Sequence, residues 1–320
     1  MQKRQRKKQM VRLAVAAAAL GAAAALGTTA ASAAALPGSG VTRSAAASWA
    51  PNVAVPGALT VDGPALATFG SRLAASWAGP NTTRVFYSFF TGRKWTTPAS
   101  VPRASTVASP ALAQFQGRLY AAWAGRTTNR IYYSVFNGST WTPEATVPGA
   151  STADGPALTV FGTKLYVSWS GPNTDKVFYS SFNGHKWSGK GSVPRASTVA
   201  SPALAQFQGR LYAAWEGRAT NKIFYSAFNG KTWTPGVAVP EASTVDGPAL
   251  TVFGTRLYAS WAGPNTHKVF YASYNGKWTA QATVPASSTV ASPALAAFQG
   301  RLYDAWAGRT TSKLYYSSQG

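Results

Sequence analysis

Apolar and polar residues alternate along this chain in short runs, and Gly, Pro or Asn-Gly cuts off each run before it reaches the length of a helix. Residues 154–199 show the pattern in full. Residues 156–161 are apolar and open on a proline, where the missing N–H costs a strand least. Gly162-Thr163 reads as a turn, and residues 164–170 alternate about Leu165, Val167 and Trp169, a period of two that predicts a strand. A Gly-Pro-Asn-Thr loop at 171–174 leads into a β-branched and aromatic run at 176–182, closed by Asn183-Gly184, a strong hairpin signal. Lys186-Trp187-Ser188 is expected to open a fourth strand, and residues 193–199 to cross to the next unit.

This unit recurs. Pro-Ala-Leu begins at Pro64, Pro110, Pro156, Pro202, Pro248 and Pro293, spacings of 46, 46, 46, 46 and 45 residues. The sixth copy stops at Gly320, before its second Trp. The missing piece stands at the front, because Trp49 and Val55-Pro56 precede Pro64 by the offsets that separate Trp95 and Val101-Pro102 from Pro110. A chain whose first segment completes its last repeat closes a ring. The pattern therefore predicts an all-β, six-bladed β-propeller of four-stranded blades, with the Trp49 region as the outer strand of the last blade. Residues 44–320 form its single domain.

Residues 1–33 have a different composition. Lys3, Arg4, Arg6, Lys7, Lys8 and Arg12 precede an Ala-rich apolar stretch at 13–26 and an A-x-A site at Ala31-Ser32-Ala33, the layout of a secretory signal peptide. Residues 34–43 then make a short linker. No second apolar span exists, so the mature protein is expected to be secreted, with no membrane span. Cysteine is absent, which leaves stability to burial, and 13% of residues are aromatic. The formal charge of +22 falls to about +16 once the leader is gone, still enough to draw the protein toward anionic surfaces.

Antiparallel order sorts the loops onto two faces. One face gathers the second-to-third-strand loops and the crossovers, and loops on a rigid scaffold carry most binding chemistry. Blades alternate in kind. Odd blades begin Asp-Gly-Pro (Asp62, Asp154, Asp246) and carry Gly-Pro-Asn-Thr loops with Asn81, Asn173 and Asn265. Even blades begin Ala-Ser-Pro and carry Gly-Arg at Arg126, Arg218 and Arg309, followed in two of them by Asn129 and Asn221. Residues 101–123 and 193–215 are identical. Any site should therefore come in threes or sixes.

All twelve Trp residues fall at two repeat positions. Those at 77, 123, 169, 215, 261 and 306 suit the core between blades. Trp49, Trp95, Trp141, Trp187, Trp233 and Trp278 stand near the rim, where an aromatic face is either packed or left as a platform for the C–H face of a sugar. Arg126, Arg218 and Arg309, with Asn129, Asn221, Asn81, Asn173 and Asn265, supply donors suited to sugar hydroxyls. Rings of Lys and Arg at strand starts act either as a solvated fringe or as an attraction for an anionic cell-surface polysaccharide, and the export signal disfavours nucleic acid. Asp62, Asp154 and Asp246 converge near the axis, where they either cap turns or hold a cation. His185 and His267 occupy unrelated repeat positions, and no HExxH, GxSxG or P-loop spacing occurs. Neither an enzyme nor a cofactor is implied.

The pattern PALAxFxGRLYAAWxGxxxxxIYYSxFNGxxW, as at 110–141, resembles the PLL-like β-propeller lectins of bacteria and, more loosely, tachylectin and the fungal fucose lectins. That resemblance covers residues 44–320 and implies multivalent glycan binding at pockets between blades. Two rivals stand beside it. One is a sialidase-like glycoside hydrolase, whose S-x-D-x-G-x-x-W box is broken here because Asn183 directly precedes Gly184. The other is a structural or protein-binding propeller.

Overall fold

The computed structural model describes residues 48–60, 62–152, 154–244 and 246–320. The leader and linker expected at 1–43 lie outside the described residues, as do 44–47. Six four-stranded antiparallel sheets follow one another around an axis, and among the described residues there is no helix. Blade three consists of Ala157–Phe161, Lys164–Ser170, Lys176–Phe182 and Gly191–Ser197. The six first strands line a central channel of about 390 Å³.

The ring closes as the repeat offsets predict. Val53–Leu59 pairs antiparallel with Lys313–Gln319 and completes the sixth sheet. Further bonds secure it: Ala50 N–H donates to the Ser318 carbonyl at 2.8 Å, Thr60 N–H to the Ser312 carbonyl at 2.7 Å, and the Ser317 hydroxyl to the Ala50 carbonyl.

One boundary differs from expectation. Trp187 makes only a single bridge, to Phe182, and the fourth strand proper is Gly191–Ser197, most of the segment read as a crossover. The residue after each rim Trp explains the interruption. The Ser188 hydroxyl accepts from the Ser181 N–H at 3.0 Å, and Thr96, Thr142 and Thr234 do the same for Phe89, Val135 and Ala227. A side chain thus takes a ladder bond, and Pro98, Pro143 or Pro235 nearby offers no N–H to resume it. The Val-Pro-x-Ala segment survives as a strand because it is outermost, where a proline needs no partner. It carries a bulge: Lys176 faces Ser197 but Phe178 faces Ser192, and the residue after the proline takes positive φ, 61° at Arg103 and 56° at Arg195.

Packing between blades repeats one arrangement. The second-strand Trp residues are buried, at 1–3% exposure, and lie over third-strand aromatic rings, as Trp77 does on Phe86 at 6.2 Å. Each such burial contributes roughly 1.5–3 kcal/mol. Farther out, Phe161, Tyr166 and Tyr179 of blade three meet Phe228 and Trp233 of blade four. The seam between blades five and six departs from this. Gln319 stands where the other blades have Phe90, Phe136, Phe182, Phe228 or Tyr274, and Asp304 stands where they have Ala or Val.

At the mouth of the channel the two blade types interlock. A Cβ on Gly63 would fall 2.5 Å from the Ser292 carbonyl and 2.7 Å from the Ser109 hydroxyl. Gly155 is held in the same way between Ser109 and Ser201, and Gly247 between Ser201 and Ser292. The Asp-Gly-Pro and Ala-Ser-Pro starts are thus two halves of one contact.

Three outcomes follow for stability. A chain beginning at Thr60 exposes the edge of Lys313–Gln319 and should associate through it. Light scattering is expected to find oligomers, and a monomer with unchanged melting temperature would exclude the closing role. Gly155→Ala should cost about 1–3 kcal/mol in denaturant unfolding, since the obstructing atoms include backbone. Asp304 is fully buried, and neither carboxylate oxygen makes a well-aligned hydrogen bond, although the Ser260 side chain and Ala305 backbone lie near it. Burial holds its pKa well above the ordinary 3.8. Below pH 3.8 the acid is neutral in both states; as pH rises, the unfolded chain ionises first and folding stability falls toward the folded pKa. Asp304→Ala should therefore raise neutral-pH stability by about 1–3 kcal/mol. The gain should vanish near pH 3 when the two proteins are compared across pH, and a gain independent of pH would assign it to packing alone.

Candidate functional site: the clefts between blades

The Arg loops are built from backbone bonds. In blade two, Gly125 N–H donates to the Arg130 carbonyl at 2.8 Å and Asn129 N–H to the Gly125 carbonyl at 3.1 Å, with Asn129 at φ 55°. The Asn129 carbonyl then accepts from Thr152 in the crossover at 2.7 Å, and Asn221 does the same for Thr244 at 2.8 Å. These two Asn residues serve a left-handed turn, which Asn tolerates better than most residues. The N–H of Arg126 donates to the Ser105 carbonyl of blade one, that of Arg218 to Ser197 of blade three and that of Arg309 to Ser288 of blade five. Arg126 and Arg218 are thereby anchored to the outer strand of the preceding blade, and Arg309 to the segment that follows it.

The cleft between blades three and four encloses about 750 Å³, lined by Pro194 and Arg195 on one side and Trp215, Arg218, Phe224 and Trp233 on the other. Arg218 and Trp233, singled out separately from the repeat, meet here. No carboxylate lines the cavity. Behind it, Arg218 forms an ion pair with the buried Asp175 of blade three. Glu216, also buried, accepts from the Thr198 hydroxyl at 3.4 Å.

The remaining residues are placed differently. Asn81, Asn173 and Asn265 are exposed on odd-blade loops, and Asn173 is not among the residues that line the Arg218 cavity. Trp49, Trp95, Trp141, Trp187 and Trp233 are partly buried, each set edge-on against a Tyr of the preceding blade at 5.3–5.6 Å, as Trp141 is on Tyr87. Their indole Nε1 atoms are buried with no hydrogen-bond partner among the described residues, which leaves ring area as what they offer a ligand. Trp278 is buried at 8% exposure and offers less.

Asp62, Asp154 and Asp246 are buried and turned to local structure. The Asp62 carboxylate accepts from Gly63 N–H at 2.7 Å and the Ser109 hydroxyl at 3.1 Å, while Asp154 and Asp246 accept from Gly155 and Gly247 at 2.9 Å. Among the described residues no three His, Cys, Asp or Glu side chains are grouped to hold a metal ion. The pKa of His267, beside Arg309, is lowered by burial first and by the guanidinium second.

Two partners escaped the sequence reading. Arg195 was placed in a crossover, and its approach to Arg218 depends on the bulge. Asp175 stands at a repeat position that carries a different residue in nearly every blade, so no periodicity marks it; its place in the loop preceding the Arg blade is the available signal.

No established protein family matches the chain, and no curated protein does. Solved structures do. A mutant Aleuria aurantia lectin in complex with Fucα1-6GlcNAc superposes with a TM-score of 0.61 at 15% identity, covering 77% of this chain and 88% of that one. A Hadza microbial sialidase gives 0.60 at 12%, covering 81% and 65%, and YjhT gives 0.58 at 15%, covering 83% and 95%. Such identities establish a shared propeller fold, and both binding proteins and hydrolases are built on it.

Proposed function

We propose that this protein is a secreted, non-catalytic carbohydrate-binding propeller that engages glycans at its inter-blade clefts. The observation that carries this reading is the cavity between blades three and four, where the Trp215 and Trp233 rings lie beside the Arg195 and Arg218 donors and no carboxylate is present. Aromatic area with a few polar groups at its edge suits a sugar ring, which has one apolar face and a rim of hydroxyls. Glycoside hydrolysis needs two facing carboxylates, so the composition of this lining favours binding over turnover. The likeness to a lectin crystallised with a fucosylated disaccharide supports the same reading, as does the resemblance at 110–141 to PLL-like lectins. Repetition around the disk lets weak sites act together on a glycan-covered surface.

A second reading has its own support in the charge of about +16 that remains once the leader is gone, which favours adhesion to an anionic wall polymer. An array of neutral and acidic glycans, read at low salt and at ~0.5 M salt, separates the two, because screening then reaches only a few ångströms. Cleft recognition of neutral sugars should survive the salt, and polymer adhesion should collapse. An array blank under both conditions would reject the lectin reading, and turnover of chromogenic glycosides by the purified protein would replace it with hydrolysis.

Replacing Arg126, Arg218 and Arg309 together by Ala should weaken binding to a glycan-coated surface at least tenfold through lost avidity. Asp175→Asn should accompany Arg218→Ala, since a buried carboxylate left without its partner would add a cost in stability. Single replacements should lower surface binding less than threefold. Undiminished binding by the triple variant would move the site off these clefts.

A further inference from the structure

The cleft between blades one and two is a near-copy of the cleft between blades three and four, with its wall and floor drawn from the identical segments 101–123 and 193–215. Arg103 and Arg126 occupy the places of Arg195 and Arg218, and both are exposed. The acids opposite them differ. Asp175, which pairs with Arg218, is replaced by Thr83, and the buried Glu216 is replaced by Ala124. Thr83 is spent on local bonds, with its hydroxyl 3.0 Å from that of Ser105 and 2.7 Å from the Thr82 carbonyl. Ser105 is also the residue whose carbonyl receives the Arg126 N–H, so Thr83 and Arg126 meet at the same point of the outer strand. The acid added to this cleft is Glu144, exposed where Gly236 lines the other, on the segment after the rim Trp. At the loop end, the place from which Asp175 engages Arg218 in one cleft is thus held in its copy by an uncharged Thr beside Arg126.

We infer that the cleft between blades one and two binds an acidic sugar, bearing a carboxylate or a sulfate, through Arg103 and Arg126, whereas the cleft between blades three and four takes a neutral one. The inference rests on the carbohydrate-binding reading above and assigns it a ligand class. A planar guanidinium presents paired donors that match carboxylate and sulfate oxygens, and this advantage is spent internally where Asp175 already occupies Arg218. The same disk would then hold two kinds of sugar at once. A polymer that alternates acidic and neutral residues would meet both kinds of site.

The turn supplies the test, because the position of Thr83 and Asp175 is left-handed in both blades, φ 57° and 55°, and Asn129 and Asn221 take the same conformation in the even blades. Thr83→Asp and Asp175→Asn therefore exchange charge on a backbone that accepts either residue. Binding to albumin carrying glucuronate, galactose 6-sulfate, glucose or galactose is measured for the parent and both variants, with melting temperatures alongside. Thr83→Asp should weaken binding to the two acidic conjugates about three- to tenfold and leave the neutral ones unchanged. Asp175→Asn should strengthen acidic binding by a similar factor, and both effects should shrink at ~0.5 M salt. Preference for glucuronate over galactose 6-sulfate, or the reverse, names the acid. Binding of the parent to neutral conjugates alone, or an acidic-to-neutral ratio that neither variant moves, overturns the inference and leaves the carbohydrate reading standing. A parent that binds none of the four conjugates and no glycan of the array rejects both. If Thr83→Asp does not fold, Asp175→Asn alone decides.

Discussion

Each blade buries both of its faces against neighbours, and the wedge between two blades must be filled at the same angle six times for the ring to close. Small residues occupy the inner strands, as Ala113, Ala205 and Ala296 do, followed by the second-strand Trp and then by a cluster of Phe and Tyr. Beyond that cluster the blades diverge faster than side chains can fill. The clefts are the part of the wedge that packing leaves open, so their dimensions follow from the closure of the core. This is why an indole edge and a guanidinium lie side by side there: one is the last residue of the packing, the other the first residue of the loop.

Much of this architecture is legible in the sequence because it depends on local pattern and on counting. The 46-residue period, the displaced Trp49 and the Asn-Gly turns state the blade number, its closure and its hairpins without reference to distant contacts. The fourth strand was misplaced because Val-Pro-x-Ala looks like a connection, and only its exposed outer edge lets a proline and a positive φ remain in a strand. The candidate site was legible by halves. Arg218 and Trp233 stand out as repeat positions, yet the ion pair to Asp175 joins residues 43 positions apart in different blades, and no periodicity reports it. Asn129 and Asn221 drew notice as donors, whereas their φ values show a conformational duty that repeats of a single residue type do not reveal.

The seam between blades five and six is chemically the poorest of the six. Its fourth strand in blade five is only Ala282–Thr283, its aromatic cluster contains Gln319 in place of a ring, and its core contains the buried acid Asp304. The outer strand of blade six is joined to its sheet only by noncovalent contacts, the ladder bonds and the burial of Val55 and Ala58, since the chain's own continuity runs the other way round the disk. The chain crosses all six seams, so blade six combines a poorly packed seam on one side with a noncovalent junction inside its own sheet, and opening concentrates there.

The alternation of Gly and Ser around the channel mouth has a consequence for how such a ring can change in number. Every Gly is pressed between two Ser residues, and every Ser between two Gly residues. Inserting or deleting one blade would set two Ser starts, or two Gly starts, side by side, with a collision in the first case and a gap in the second. A gene lineage that kept this mouth would be confined to even numbers, gaining or losing blades as pairs of about 92 residues, and the identity of segments 101–123 and 193–215 is the trace that duplication of such a pair would leave.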